Sequence, residues 1–396
     1  MNNRQLFLQH IAQTSDAPMG LEMVSAEGIY QTDVNGKRYV DMISGFSVCN
    51  IGHSHPKVTS AIEQQIKKYM HLIVYGEFIE VPQVRYAKRL TDLLPASLNS
   101  VFFTNSGTEA TEGAMKLAKR ATGRSKIICF NKSYHGSTQG ALSIMGDEYF
   151  RNSFRPLLPD IYHYEFGDLE MISAIDTDTA CVIMETVQAE AGIIRPDGGW
   201  LKALRQRCDQ TGALLVFDEI QAGFGRTGSL WAFEQYAVVP DILLLAKALG
   251  GGLPLGAFIA ERSIMNTLTF NPVLGHISTF GGHPVSCAAG LAALEVLLEG
   301  AYIDAIAAKE AILKDRLNHP AILKMTTAGL WACLEFESFE TNKKVIARCI
   351  ENGLIADWFL FKPEGLRIGP PLTISESELT DVCDRIIQSI NEGLAC

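Results

Sequence analysis

Two hydrophobic rhythms alternate along the chain. Short, nearly unbroken apolar runs recur at 126–130 (KIICF), 180–184 (ACVIM), 213–217 (ALLVF), 241–246 (DILLLA) and 256–260 (GAFIA). Runs of that length without alternation suit strands buried on both faces, as in a mostly parallel sheet flanked by helices. Between them lie stretches of helical period, such as "GGWLKALRQRCDQTG". "SVFFTNSGTEATEGAMKLAKRATG" reads as a strand, a glycine turn and a helix with Ala110, Ala114, Leu117, Ala118 and Ala121 on one face. Ser106 and Glu109 have the S-x-x-E spacing of a capping box at its start. Upstream, residues 28–43 (GIYQTDVNGKRYVDMI) predict two short strands around Asn35-Gly36, a hairpin signal. The C-terminal third alternates helical patterns ("SCAAGLAALEVLLEG", "AAKEAILKDRLN") with short strands ("WACLEFE", "LRIGP"). It predicts a separate α+β lobe packed with the N-terminal hairpin. The expected fold class is α/β, with residues 1–55 starting a small domain, 56–285 forming a large one and 286–396 completing the small one. There is no internal repeat and no low-complexity linker.

Composition narrows the partners. The 396 residues are 47% hydrophobic and 20% charged, the balance of a globular protein. A net charge of −10 without a basic run argues against nucleic acid and anionic membranes. The opening "MNNRQLFLQHIAQTSDAP" is too polar for a signal peptide, and no apolar run approaches a membrane span. Nine scattered cysteines without a C-x-x-C pair fit a reducing cytoplasm. His53 and His55 of "GHSHP" lack the companion ligands of a metal site, and no metal is expected.

In open α/β sheets, ligands sit beyond the carboxyl ends of the strands. The residues expected there are Ser106-Gly107-Thr108, then Tyr134-His135-Gly136, Glu185, Asp218 and Lys247. Free N–H groups and the helix dipole suit the Ser106–Thr108 turn to a phosphate, although a plain capped helix explains it equally. A P-loop is excluded because no G-K-[ST] follows. Lys247 lies between apolar runs in "LLLAKALGGGLPLG", where burial should depress its pKa and free a nucleophilic amine able to form a Schiff base. A snorkelling lysine is the bland alternative. Asp218, closing "ALLVF", could keep a pyridine nitrogen protonated. Together, a reactive lysine, an acid and a phosphate cradle describe pyridoxal phosphate. The G-x-G-x-x-G of Gly223, Gly225 and Gly228 starts five residues past the strand and lacks an acid ending the next one, which disfavours a dinucleotide site.

The motifs "DEIQAGFGRTG", "SGTEA", "YHGS", "ETVQAEAG", "AKALGGGLPLG", "STFGGHPVSCAAG" and "LRIGPPL" resemble those of class III pyridoxal-phosphate aminotransferases of fold type I, such as the acetylornithine, ornithine and 4-aminobutyrate enzymes. The resemblance extends from "GIYQTDVNGKRYVDMISG" to Arg367. It implies that Lys247 bonds the cofactor and shuttles the proton while Asp218 pairs with the ring nitrogen. Gln221 would lie near the ring hydroxyl, and Tyr134 would stack on the ring. Ser106, Gly107 and Thr108 would cradle the phosphate, with His135 and Glu185 around the ring. Thr279 would reach the phosphate from a partner subunit, implying a homodimer. Arg367 would grip the substrate carboxylate, and Glu190 would pair with Arg367 when a donor brings none. The implied reaction moves an amino group from an amine or (ω-)amino acid to an oxo acid such as 2-oxoglutarate or pyruvate.

Two departures stand out. Ser137 follows "HG" where those relatives usually carry a second carboxylate-binding arginine, and Thr186 replaces a frequent proline. These departures point to a donor that is a terminal amine or an amino acid held differently. An isomerase of the same fold, such as an aminomutase or racemase, is the nearest alternative, and a non-catalytic cofactor-binding protein a more distant one.

Overall fold

The computed structural model describes residues 2–395, so Cys396 of the nine cysteines lies outside the described residues. The N-terminal hairpin forms as expected. Strands β1 (Met23–Glu27), β2 (Tyr30–Asp33) and β3 (Arg38–Asp41) make an antiparallel ribbon. Gly36 takes φ +81° at its tip, and the Asp33 carboxylate accepts from the N–H groups of Asn35 and Lys37.

The apolar runs build a seven-stranded sheet from β4 (Ser100–Thr104), β5 (Lys126–Phe130), β6 (Ile161–Tyr164), β7 (Thr179–Glu185), β8 (Leu214–Asp218), β9 (Ile242–Leu245) and β10 (Gly256–Ala260), in the order β4-β10-β9-β8-β7-β5-β6. Strands β6, β5, β7, β8 and β9 run parallel, whereas β10 is antiparallel to both β4 and β9. Both faces are covered, which explains the missing alternation. Cys181, Ile183 and Val216 pack with Ala110, Ala114 and Leu117 of the helix Gly107–Thr122. Their neighbours Val182, Met184, Leu215 and Phe217 face the other way, into the main core shared with Trp200 and Leu204 of the helix Gly198–Thr211. Asp197 caps that helix at its start, and Gly212 closes it at φ +72°.

The C-terminal third adds β11 (Lys324–Thr327), β12 (Ala332–Glu335), β13 (Leu354–Ile355), β14 (Asp357–Phe359) and β15 (Lys362–Ile368). Four make the sheet β11-β12-β15-β14, and β13 pairs in parallel with β3 of the N-terminal ribbon. The two ends of the chain are therefore joined by backbone hydrogen bonds. No helix among the described residues is long and apolar enough to cross a membrane.

Candidate active site

The parallel strands deliver their terminal residues to one edge. Glu185 ends β7 and Asp218 ends β8, directly paired in register. Lys247 follows β9 by two residues and takes φ +51°, an uncommon left-handed conformation for a side-chain-bearing residue. A cavity of about 560 Å3 opens at this edge, lined by Gly107, Thr108, Tyr134, His135, Glu185, Asp218, Gln221 and Lys247 among others. Asp218 is fixed from two sides: His135 Nδ1 lies 2.7 Å from Oδ2, and the Ile220 N–H donates to Oδ1 at 2.9 Å. Those bonds use two of the carboxylate's four lone-pair positions, leaving acceptor capacity for another donor.

The electrostatics follow from burial. Desolvation lowers the Lys247 pKa to about 8, although Glu190 and Asp218 oppose the shift. Burial pushes Glu185 up to about 8 despite the opposing charge of His135. Burial also works against a charge on His135, but the hydrogen bond and charge of Asp218 outweigh it and raise the imidazole above its ordinary value. The expected free lysine amine thus has a physical cause at the strand end.

Beside this floor, the helix Gly107–Thr122 starts with Ser106 as N-cap, its hydroxyl accepting from the Glu109 N–H at 3.3 Å. Only half of the expected capping box forms. The Glu109 carboxylate accepts instead from the backbone N–H (2.9 Å) and side-chain amide (2.8 Å) of Asn105, two donors where Ser106 offers one. The Gly107 and Thr108 N–H groups have no intrahelical acceptor, as in any first helical turn. The loop after β5 presses close to them. A Cβ on Gly136 would fall 2.3 Å from Thr108 Oγ1. The Tyr134 hydroxyl contacts Ser137 Oγ at 3.2 Å.

A second constellation lies toward the C-terminal sheet. Arg367 of β15 forms a two-pronged bond with Glu190, 3.0 Å to Oε1 and 2.7 Å to Oε2. Glu190 also accepts from Gln221 Nε2 (3.1 Å) and the Leu360 N–H (3.0 Å). Burial opposes ionisation of Glu190, but the Arg367 charge overcomes it and holds the carboxyl down at about 2. The guanidinium lies 4.3 Å from the Phe359 ring centroid and 5.2 Å from that of Phe46. Phe46 belongs to a single left-handed turn, Ser44–Ser47, whose four residues have φ between +48° and +64°.

The model of the class-III aminotransferase family matches residues 11–390. The chain belongs to the class-III aminotransferases. Among curated relatives, the acetylornithine aminotransferase of Methanopyrus kandleri is 40% identical over 360 residues, covering 90% of this chain and 91% of that one. The putrescine aminotransferase of Pectobacterium atrosepticum is 36% identical, covering 91% and 80%. The ornithine aminotransferase structure from Toxoplasma gondii superposes with a TM-score of 0.91 at 29% identity, covering 99% of this chain and 94% of that one. This aminotransferase is an enzyme of pyridoxal-phosphate-dependent amino transfer, acting on small-molecule amino donors and oxo-acid acceptors.

The residues of the aminotransferase fit that cofactor. One cavity brings together a desolvated amine, a carboxylate with spare acceptor capacity and a helix start rich in free N–H groups. Gln221 adds a buried carbonyl oxygen, Oε1, that has no hydrogen-bond partner among the described residues. Of the residues singled out in the sequence, Ser106, Gly107, Thr108, Tyr134, His135, Glu185, Asp218, Gln221 and Lys247 line this cavity. Glu190 and Arg367 lie behind Gln221. Thr279 is exposed and does not line the cavity, but its neighbour Ser278 accepts from Asn105 Nδ2 at 3.0 Å, next to the helix start. Thr186 uses an N–H that proline would lack, donating to the Asp218 carbonyl at 3.3 Å. His53 bonds Asp41 through Nε2 at 2.8 Å, and His55 caps the helix Pro56–Ile66.

Several residues were not singled out. Glu219, the second acid after "ALLVF", accepts the Ala232 and Phe233 N–H groups at 2.7 Å each and anchors the returning loop. The glycine-rich loop after it carries the fully buried Arg226, which bonds the carbonyls of Leu330 and Pro370 and Asn50 Oδ1. Arg226 thereby ties the Ser44–Asn50 segment to the C-terminal sheet. A charged residue inside "GFGRTG" was its only visible signal. Nothing local marked Phe46, whose role depends on a left-handed turn.

Proposed function

We propose that Lys247 and Asp218 are the catalytic pair of this aminotransferase. The observation that carries the reading is their position at the ends of adjacent parallel strands on one cavity, with the Ser106–Thr108 turn beside them. Bound pyridoxal phosphate supplies an electron sink for the substrate carbon that bears the amino group. Lys247 Nζ, partly neutral near pH 8, would hold the cofactor and, once displaced by the donor amine, would be free to take and return the proton at that carbon. Asp218, oriented by His135, keeps the ring nitrogen protonated. Tyr134 would cover a ring face, Gln221 would meet the ring hydroxyl, and Glu185 would border the ring. The start of the helix Gly107–Thr122 holds the phosphate.

Arg367 and Glu190 sort the two half-reactions. An oxo acid takes the guanidinium fork with its carboxylate, and a donor without a carboxylate leaves the Glu190–Arg367 bond closed. With Ser137 at the position of the second arginine and Phe46 and Phe359 flanking Arg367, the donor side favours an amine or an ω-amino group on an apolar chain. An acceptor such as 2-oxoglutarate or pyruvate completes the exchange. This pairing of Arg367 with Glu190 supports transfer over isomerisation.

The working unit in this proposal is a homodimer in the cytoplasm. Thr279 sits on a segment with exposed Val273 (72%), Leu274, Ile277 and Phe280, and Ile79 is 90% exposed, an apolar surface suited to a second copy. The eight free cysteines described suit a reducing compartment. The division into a large domain over 56–285 and a small domain from 1–55 and 286–396 is supported by the pairing of β3 with β13.

Borohydride reduction of the yellow holoenzyme followed by peptide mapping tests the reading. The cofactor should be found on the Lys247 peptide, and a label on another lysine would overturn it. Mixing Lys247→Ala and Thr279→Ala subunits tests the shared site. The partner model requires the hybrid to hold one site damaged twice and one intact.

A further inference from the structure

Behind the helix start, a carboxylate and two hydroxyls form a chain whose proton positions can be counted. Glu112 Oε1 accepts from the Gly140 N–H at 2.8 Å and the Ala141 N–H at 3.1 Å, and lies 2.6 Å from Thr138 Oγ1. An oxygen already accepting two N–H protons is not the hydroxyl oxygen of a protonated acid. The hydrogen in the third contact therefore belongs to Thr138. A threonine hydroxyl has one proton. The 2.7 Å contact between Thr138 Oγ1 and Thr108 Oγ1 must then take its hydrogen from Thr108. The Thr138 N–H donates back to Thr108 Oγ1 at 3.2 Å. Thr108 has thus given its only side-chain proton to the protein.

The packing makes this commitment rigid. A Cβ on Gly140 would stand 2.2 Å from Glu112 Oε2, and one on Gly136 would stand 2.3 Å from Thr108 Oγ1. Glycine is required at Gly136, where φ is +122° and the backbone of Thr108 is among the atoms a Cβ would meet, whereas at Gly140 a Cβ would only push the end of the Glu112 side chain out of its three hydrogen bonds. A phosphate ester only accepts hydrogen bonds at neutral pH, so a hydroxyl facing it has to donate. The Thr108 hydroxyl has nothing left to donate.

We propose that Thr108 serves the phosphate through its backbone N–H alone, and that Glu112 and Thr138 are positioning residues that lock its side chain against the Gly136 loop. The proposal rests on the reading that residues 106–108 form the phosphate cradle. It assigns the cradle's affinity to N–H groups at the helix start, and gives Thr108, Thr138 and Glu112 one shared task, holding that start against the loop.

The test is equilibrium binding of pyridoxal phosphate and of pyridoxal to apoprotein, read by absorbance, for wild type, Thr108→Val, Thr138→Val and the double variant. Valine keeps the shape and removes the hydroxyl. A shared positioning task predicts that each single variant weakens pyridoxal phosphate by a similar factor, roughly three- to tenfold, the size of one neutral hydrogen bond. The double variant should be no worse than the weaker single one. Thr108→Ser keeps the relay and should bind as wild type does, with thermal unfolding confirming that all variants are folded. The proposal is overturned if Thr108→Val alone costs far more than Thr138→Val and the excess disappears with pyridoxal. Tighter binding in Thr138→Val would overturn it too, since freeing the Thr108 proton would then have created a ligand. Failure of the cradle reading looks different: wild type itself would bind pyridoxal as tightly as the phosphate ester.

Discussion

The cavity floor and the Arg367–Glu190 clamp are built in opposite ways. Glu185 and Asp218 are the last residues of their strands and Lys247 follows β9 by two, so the sheet register sets Asp218 beside Glu185 and brings Lys247 in from one strand further. The clamp joins residues 177 positions apart, one on a loop after β7 and one on β15 of another sheet. The floor is fixed by local pattern and the clamp by packing. A rigid floor suits chemistry that is the same for every substrate. A clamp whose central bond joins two side chains suits a site that must accept two substrates in turn.

Removing the floor amine should have the largest effect. Lys247→Ala takes away both the point of attachment and the proton carrier, and amino transfer should fall by about 10⁴-fold or more. Single-turnover assays with an amine and an oxo acid measure this. Residual activity within tenfold of wild type would place the proton carrier elsewhere and dissolve the contrast. Next in size, Arg367→Ala should raise the oxo-acid KM by about 10- to 100-fold, the worth of a charge-assisted two-pronged bond, and change the amine KM far less. Equal effects on both substrates would make the clamp part of the common machinery.

This division also decided what the sequence could reveal. The strands at 126–130, 180–184 and 213–217 were legible because burial on both faces leaves an unbroken apolar run, and their polar ends marked the floor. Arg367 and Glu190 entered only through family resemblance, since no spacing rule connects residues brought together by separate sheets. The partners of Arg226 and Glu112 were illegible for the same reason: they are carbonyls and N–H groups far away along the chain. Glu109 shows the limit of a local rule. It has capping-box spacing, yet its carboxylate turns to the two donors of Asn105.

A smaller effect probes the floor's electrostatics. With its pKa held at about 8 by burial, Lys247 becomes more neutral as pH rises, and only the neutral amine attacks a carbonyl. The rate of cofactor uptake by apoprotein should climb about tenfold from pH 7 and level off above pH 8 to 9. Stopped-flow absorbance would show it. A rate still climbing at pH 10 would mean the amine is solvated like an exposed lysine, and that the floor is as open as the clamp.

Glu190→Gln should have the smallest effect and the most specific one. The substitution keeps the shape but removes the charge that competes with an incoming carboxylate for Arg367. The oxo-acid KM should therefore fall a few-fold, while the amine half-reaction slows because the guanidinium is left without a charged partner. The same residue gives a pH signature. Its folded pKa of about 2 lies below the ordinary 4.5, so the ionised pair stabilises the protein fully above pH 4.5 and that contribution fades as pH falls toward 2. Wild type should lose thermal stability across this window more steeply than Glu190→Gln, as acid titration of Tm would register. Parallel acid profiles, together with an unchanged oxo-acid KM, would mean that the ion pair neither competes with substrate nor contributes to folding, and the clamp would be as fixed as the floor.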